Sequence, residues 1–201
     1  MTRQNRVTPF GDIVAYPERG TFIGNRGILH DQHGQLTARC WTTHAWITCR
    51  LEFKERHREI MSPGTWTELF FLDEATALAA GHRPCGECRR EDYKRFKACW
   101  LAGNGGSAIS IREIDRQIHA ERVTRQRTKV TYQAAIESLP DGTFISLDAE
   151  SYLLWQDDLW RWTPGGYTDR LPKMRSADVT VLTPESIVNA LKAGYKPLGY
   201  L

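Results

Sequence analysis

A chain of 201 residues, 41% hydrophobic and 25% charged, is long enough to bury a real core and has the composition of an ordinary globular protein. The formal charge of +3 permits an anionic partner without demanding one. No stretch approaches the roughly 18–20 apolar residues of a membrane span, and Met1-Thr2-Arg3-Gln4-Asn5-Arg6 has no apolar block after it, so no membrane association or secretory leader is expected and cytoplasm is the default.

Residues 7 to about 55 read as β-structure punctuated by Gly20, Gly24, Gly27 and Gly34, with short runs such as Gly27–His30. In Ala45-Trp46-Ile47-Thr48-Cys49-Arg50-Leu51, Ile47, Cys49 and Leu51 alternate with Trp46, Thr48 and Arg50, so Cys49 shares a strand face with two aliphatics. Pro63-Gly64 is a turn signal. A strand over Glu68–Leu72 runs into a helix capped by Asp73 and stopped by Gly81. The next helix, about Glu91 to Leu101, carries Tyr93, Phe96 and Trp100 as an aromatic stripe beside a basic one of Arg90, Lys94 and Lys97. Gly103-Asn104-Gly105-Gly106-Ser107 reads as a hinge.

Ser110-Ile111-Arg112-Glu113 is a capping box opening a helix with Ile111, Ile114 and Ile118 on its core face. The basic run Arg122, Arg125, Arg127, Lys129 follows, as an extension of a cationic face or as a mobile loop. A meander is expected from Thr143–Leu147, Tyr152–Trp155 and Leu159–Trp162, closed by Pro164-Gly165-Gly166, with Trp155, Trp160 and Trp162 filling its core or lining a ligand-binding face. The chain ends in strand Val179–Leu182 and a helix with Thr183 as N-cap and Pro184 at the first helical position. Ala77-Leu78-Ala79-Ala80-Gly81-His82-Arg83-Pro84 recurs as Ala190-Leu191-Lys192-Ala193-Gly194-Tyr195-Lys196-Pro197, so two similar βα units bracket the fold. The expected class is α+β: a β-rich amino-terminal part, a central Cys-x-x-Cys β-α-α segment, and a carboxy-terminal meander with a terminal βα unit. Residues 1–102 form the cysteine-bearing region and 103–201 the remainder, packed as one globular body.

The five cysteines, Cys40, Cys49, Cys85, Cys88 and Cys99, are odd in number and unevenly spaced, a pattern that favours metal binding over disulfides in a cytosolic chain. Cys85-Gly86-Glu87-Cys88 follows a helix and a proline. That context suits half of a zinc site better than a redox pair, which sits at a helix N-terminus after a strand. Cys49 is the first choice for a third ligand, with a small buried hydrophobe as its other reading. Cys40, His44, His57 and His119 compete for the fourth place, Cys99 reads as core, and His82 as a surface or capping residue.

The run Phe70-Phe71-Leu72-Asp73-Glu74-Ala75-Thr76-Ala77-Leu78-Ala79-Ala80-Gly81-His82-Arg83-Pro84-Cys85-Gly86-Glu87-Cys88 resembles the end of the metal-binding domain of the bacterial adaptive-response (Ada) repair proteins. There Ala-Gly-Phe-Arg-Pro-Cys-x-x-Cys supplies half of a four-cysteine zinc site. The resemblance spans about residues 45–90, with Ile47-Thr48-Cys49-Arg50 matching the strand that carries the acceptor cysteine. It implies zinc held by Cys49, Cys85 and Cys88, with Cys49 taking a methyl group from a DNA methylphosphotriester. The family's next cysteine, four residues on, is replaced by Phe53, and an extra loop with Pro63-Gly64 intervenes. Neither the helix-turn-helix nor the second alkyl-acceptor motif of the full-length repair proteins is visible.

Basic residues crowd the same region: Arg50, Lys54, Arg56, Arg58, Arg83, Arg89, Arg90, Lys94, Arg95 and Lys97. Such a cluster gives salt-dependent affinity for DNA or another nucleic acid, with Arg83, Arg89, Arg90 and Lys94 expected on phosphate. Two other readings compete. One is a structural zinc module that recognises nucleic acid or protein without turnover. The other is a zinc nucleobase deaminase, suggested by His119-Ala120-Glu121 with Pro84-Cys85-x-x-Cys88, although its fragments occur in reversed order.

Overall fold

The computed structural model describes residues 2–55 and 59–199 and has two six-stranded sheets with four helices, an α+β architecture. No helix of the described residues is long and apolar enough to cross a membrane. The first sheet is assembled from β1 (Arg6–Val7), β2 (Ile13–Val14), β3 (Phe22–Asn25), β4 (Ile47–Arg50), β5 (Leu69–Phe71) and β6 (Arg83–Pro84), in the order β2-β1-β5-β3-β4-β6. Its β1–β5 and β4–β6 pairs are parallel and the rest antiparallel. The expected β-structure over 7–55 is therefore interrupted. Residues 26–46 make turns and a single bridge between His30 and Leu36, so Gly27–His30 is not a strand.

Helix α1 (Glu74–Ala79) covers one face of this sheet, where Ala77 and Ala80 pack with Val7, Leu29, Leu69 and Phe71. Asp73 caps it by accepting from the Thr76 amide at 2.7 Å, and Gly81 turns the chain at φ +85°. Helix α2 (Arg90–Gly103) buries Phe96 and Trp100, and α3 (Ile111–Arg122) buries Ile114 and Ile118 behind the Ser110–Glu113 capping box. The carboxy-terminal sheet adds β7 (Tyr132–Ala135), β8 (Phe144–Leu147), β9 (Glu150–Trp155), β10 (Asp158–Thr163), β11 (Gly166–Pro172) and β12 (Asp178–Val181). All its pairings are antiparallel, in the order β11-β10-β9-β8-β12-β7. The meander thus runs past Pro164-Gly165-Gly166 into β11, and Tyr132–Ala135 forms an edge strand.

Helix α4 (Glu185–Lys192) follows β12, completing the second βα unit of the internal echo. Its start departs from expectation. Pro184 occupies the N-cap, and the Thr183 hydroxyl accepts from the Phe144 amide on β8 instead. Glu121 of α3 takes over the capping, accepting from both the Ser186 amide and hydroxyl. Gly103, the first residue of the expected hinge, is the last residue of α2 and has a packing role. A side chain at Gly103 would meet the Asn189 carbonyl at 2.2 Å, so the glycine allows α2 and α4 to touch. Asn104 then bonds Trp100, Ser186 and Asn189. One apolar cluster joins Leu78, Phe96 and Trp100 to Ile114, Ile187 and Tyr195, and another joins Ala75 and Ala79 to Phe144, Leu153 and Leu182. Both span the 102/103 division.

Candidate metal centre

Strand alternation decides which way Cys49 points. Ile47, Cys49 and Leu51 line one cavity, while Thr48, on the opposite face, is buried and bonded to Arg89. The Cys85–Cys88 turn is delivered to the same place because β6 pairs in parallel with β4. Its ladder continues through the Cys85 amide to the Thr48 carbonyl at 2.8 Å. The Cys85 carbonyl then accepts from the Arg89 amide as the chain enters α2. The result brings the sulfurs of Cys49, Cys85 and Cys88 within 4.8 Å of one another, a group that can hold a metal ion.

The three thiols interact strongly. Hydrogen bonds from Cys49 first and Cys88 second, helped by the Glu87 amide at 3.4 Å, hold Cys85 far below the ordinary thiol range. Cys49 is driven upward by sharing its proton with Cys85 and Cys88 and by burial. Three crowded sulfurs cannot all ionise unless a cation offsets their repulsion. The donor set fits zinc or another thiophilic ion: a tetrahedral site with bonds of about 2.3 Å places its sulfurs about 3.8 Å apart, inside the observed limit.

A second observation points the same way. The cavity holding the sulfurs, about 390 Å³, also contains Glu68. That residue is 2% exposed; its Oε2 accepts from the Met61 amide at 2.7 Å, and its Oε1 has no hydrogen-bond partner among the described residues. A buried carboxylate oxygen left unpaired in the cavity that three sulfurs line is an excess of acceptors, which a divalent cation would relieve. Glu68 was missed in the sequence because it reads as an ordinary strand residue; its only signal is a charge abutting the apolar run Leu69-Phe70-Phe71-Leu72.

The rest of the expected ligand set is dispersed. Among the described residues no fourth His, Cys, Asp or Glu atom joins the group. Cys40 lines a different cavity, and His44 and His119 stack on each other at 4.2 Å. His57 lies outside the described residues, as do Arg56 and Arg58. Phe53, at the position of the resembled family's missing cysteine, lines the thiol cavity with its ring. Cys99 packs against the core cluster, as expected. His82 is fully buried between the Trp46 and Phe71 rings rather than at the surface. Glu121 is committed to capping α4 and does not line the thiol cavity, so the deaminase reading loses its proton shuttle.

The four basic residues assigned to phosphate divide into two kinds. Arg83 is buried, with Nε and Nη2 donating to Asp115 at 2.6 and 2.8 Å. Arg89 is 1% exposed, paired with Glu74 and Asp92 and donating to Thr48 Oγ1 at 2.7 Å. Both guanidiniums serve the interior and are turned away from any external phosphate. Arg90 and Lys94 remain on the exposed face of α2, Lys94 pairing with Glu91 at 2.9 Å, and Arg50 is exposed at the rim of the thiol cavity. Compared with protein-family models, curated proteins and solved structures, the chain matches none.

Proposed function

We propose that this protein binds zinc through Cys49, Cys85 and Cys88 and acts on DNA, with Cys49 accepting a methyl group. The observation that carries the reading is the convergence of three thiols, from β4 and from the turn after β6, on a cavity that also buries an unpaired carboxylate oxygen. Bound zinc would keep the sulfurs ionised at neutral pH, the state in which sulfur is a nucleophile. Cys85 is 8% exposed whereas Cys49 is more accessible, so the sulfur on β4 is better placed to meet a reactant. The resemblance to the adaptive-response metal domain supplies the reaction. The Cys49 Sγ lone pair attacks the methyl carbon, an S–C bond forms, and the C–O bond of the methylphosphotriester breaks, its electrons leaving on the phosphodiester anion. Ile47, Phe53 and Phe70 give the cavity an apolar lining around the sulfurs. Arg50 and Arg90, with Lys94, supply exposed positive charge for salt-dependent contact with the backbone.

The test has two stages. Elemental analysis of the wild type should find one zinc per chain, lost in Cys85→Ser. Incubation with an oligonucleotide carrying a methylphosphotriester should then add one methyl group, located at Cys49 by peptide mapping. Zinc without methyl transfer would leave the metal as a structural staple, and protein purified free of transition metal would end the proposal altogether.

A further inference from the structure

A second cavity, of about 340 Å³, contains none of the three clustered cysteines and has the opposite character. It is lined by Arg26, Arg122 and Lys129, with Arg39 and Arg127 beside them and Asp12 as the one acid among its lining residues. Arg26 follows β3, Arg122 ends α3, and Lys129 belongs to the basic run that the sequence left as a surface face or a loop. That run is instead folded back, with the Thr124 and Thr128 hydroxyls bonded at 2.7 Å and Lys129 Nζ reaching the Ala79 carbonyl.

Among the described residues, every hydrogen-bond partner of Arg26, Arg122 and Lys129 is neutral. Arg26, 3% exposed, donates Nη1 to the Gly11 carbonyl at 2.9 Å and Nε to His82 Nε2 at 3.4 Å. Arg122, also 3% exposed, donates to the carbonyls of Gly81 and His44 and to His119 Nδ1. Both guanidiniums lie on the Trp46 ring, 4.0 and 3.7 Å from its centroid. Among the described residues, Arg26 Nη2 and Arg122 Nε have no hydrogen-bond partner. Asp12 is exposed, and Asp115, whose charge reaches Arg122, is already held by both arms of Arg83.

Cations buried together with only one exposed acid, Asp12, beside them are costly, and a bound anion would offset that cost. Burial, followed by the neighbouring cations, pushes Lys129 down to about 7. Arg26 falls to about 9, mainly by burial. We infer that this cavity is a binding site for a small phosphate-class oxyanion, either free phosphate or the terminal phosphate of a nucleotide. A carboxylate offers one charge and two oxygens. A phosphate dianion carries more charge and more acceptors, matching Arg26 Nη2 and the rotatable Lys129 ammonium while balancing the excess of cations over Asp12. The guanidiniums sit inside a recess rather than on a flat face, which suits a free or terminal group over the continuous backbone of a strand.

The experiment is thermal unfolding and calorimetric titration of the full-length, metal-replete protein with inorganic phosphate, against sodium chloride at equal ionic strength. Phosphate at about a hundredfold excess over its dissociation constant should raise the melting temperature by roughly 5–10 °C. Arg26→Met should abolish the shift. Arg127→Gln, at an exposed position that leaves folding undisturbed, and Lys129→Gln, which keeps a donor for the Ala79 carbonyl, should each weaken phosphate binding several-fold. A nucleoside 5′-monophosphate should displace phosphate, and an oligonucleotide without terminal phosphates should not. A melting temperature that phosphate raises no more than chloride, or a shift undiminished in Lys129→Gln and Arg127→Gln, overturns the site. Displacement by the unphosphorylated oligonucleotide overturns the choice of a free or terminal group.

Discussion

Arg89→Met separates an interior role for this arginine from a phosphate-binding one. Its Nη2 lies 2.7 Å from Glu74 Oε1, with side chains 1% and 0% exposed. That contact is a close ion pair, and the same nitrogen lies 3.0 Å from Asp92 Oδ2. The arginine also bonds Thr48 Oγ1 and stacks 4.7 Å from the Phe22 ring centroid, tying α2 to β4 and β3. Methionine fills the volume but leaves Glu74 as an uncompensated buried charge, a loss of about 3–5 kcal/mol. For a chain of this length, that is roughly 6–20 °C in melting temperature. Glu74→Gln keeps one oxygen for the Leu198 amide, now bonded to Oε2 at 2.8 Å, and puts an NH2 where Oε1 accepts from the Tyr195 hydroxyl at 2.6 Å, a hydroxyl that can turn to accept instead. The double variant should therefore be less destabilised than Arg89→Met alone, with a coupling of about 2 kcal/mol. Urea unfolding should show the midpoint moving with little change in slope. The reasoning fails if Arg89→Met unfolds within about 1 kcal/mol of the wild type while DNA affinity collapses, because the guanidinium would then be facing outward.

Glu68→Gln should preserve the bond to Met61 and the fold while weakening zinc about tenfold, read by competition with a chelator; unchanged zinc affinity would detach the carboxylate from the metal. The histidines set a pH dependence. Burial foremost, then Arg122 and His44, lower His119 to about 4, and burial with Arg26 and Arg122 lowers His82 well below 6.5. The unfolded chain therefore takes up these protons first, and stability falls as pH drops from 6.5 towards 4. For the part-exposed His119 the loss is about 1–2 kcal/mol after allowance for solvent screening. Asp73, raised to about 6 mainly by burial, acts with the opposite sign, its contribution being lost as pH rises through 6. The comparison that isolates the imidazole is the change in urea midpoint between pH 7 and 4.5, which should be smaller in His119→Gln than in the wild type; equal changes would refute the assignment.

The elements legible in the sequence were those fixed by local chemistry. Period-two alternation placed Cys49 on the face with Ile47 and Leu51, and the Asp73 cap, the Ser110 capping box and the stops at Gly81 and Gly194 were each set within a few residues. What escaped depended on partners far along the chain. Arg83 finds Asp115 at a separation of 32 residues, and a count of basic residues carries no information about depth. Thr183 satisfies the ordinary N-cap preference, yet its hydroxyl is drawn to the Phe144 amide across 39 residues, and the capping passes to Glu121. Gly103 has the appearance of a linker until α4 is seen to need the room. Strand β7, Tyr132-Gln133-Ala134-Ala135, has no β-branched residue and owes its existence to pairing with β12.

The two cavities are related through one strand. Ile47 and Cys49 face the sulfurs and the unpaired Glu68 oxygen, whereas Trp46, just ahead of β4, faces Arg26 and Arg122. One side therefore concentrates buried acceptors and the other buried donors, separated by the thickness of a sheet. Neither imbalance is corrected by the other, because the backbone between them is already consumed by ladder bonds to β3 and β6. Each side must be offset by something that is not protein: a cation among the sulfurs, an anion among the guanidiniums. A hydrophobic core could have filled both volumes at lower electrostatic cost. That the chain instead keeps unpaired polar atoms on both sides of one strand is the physical reason to read these places as binding sites rather than as parts of the core.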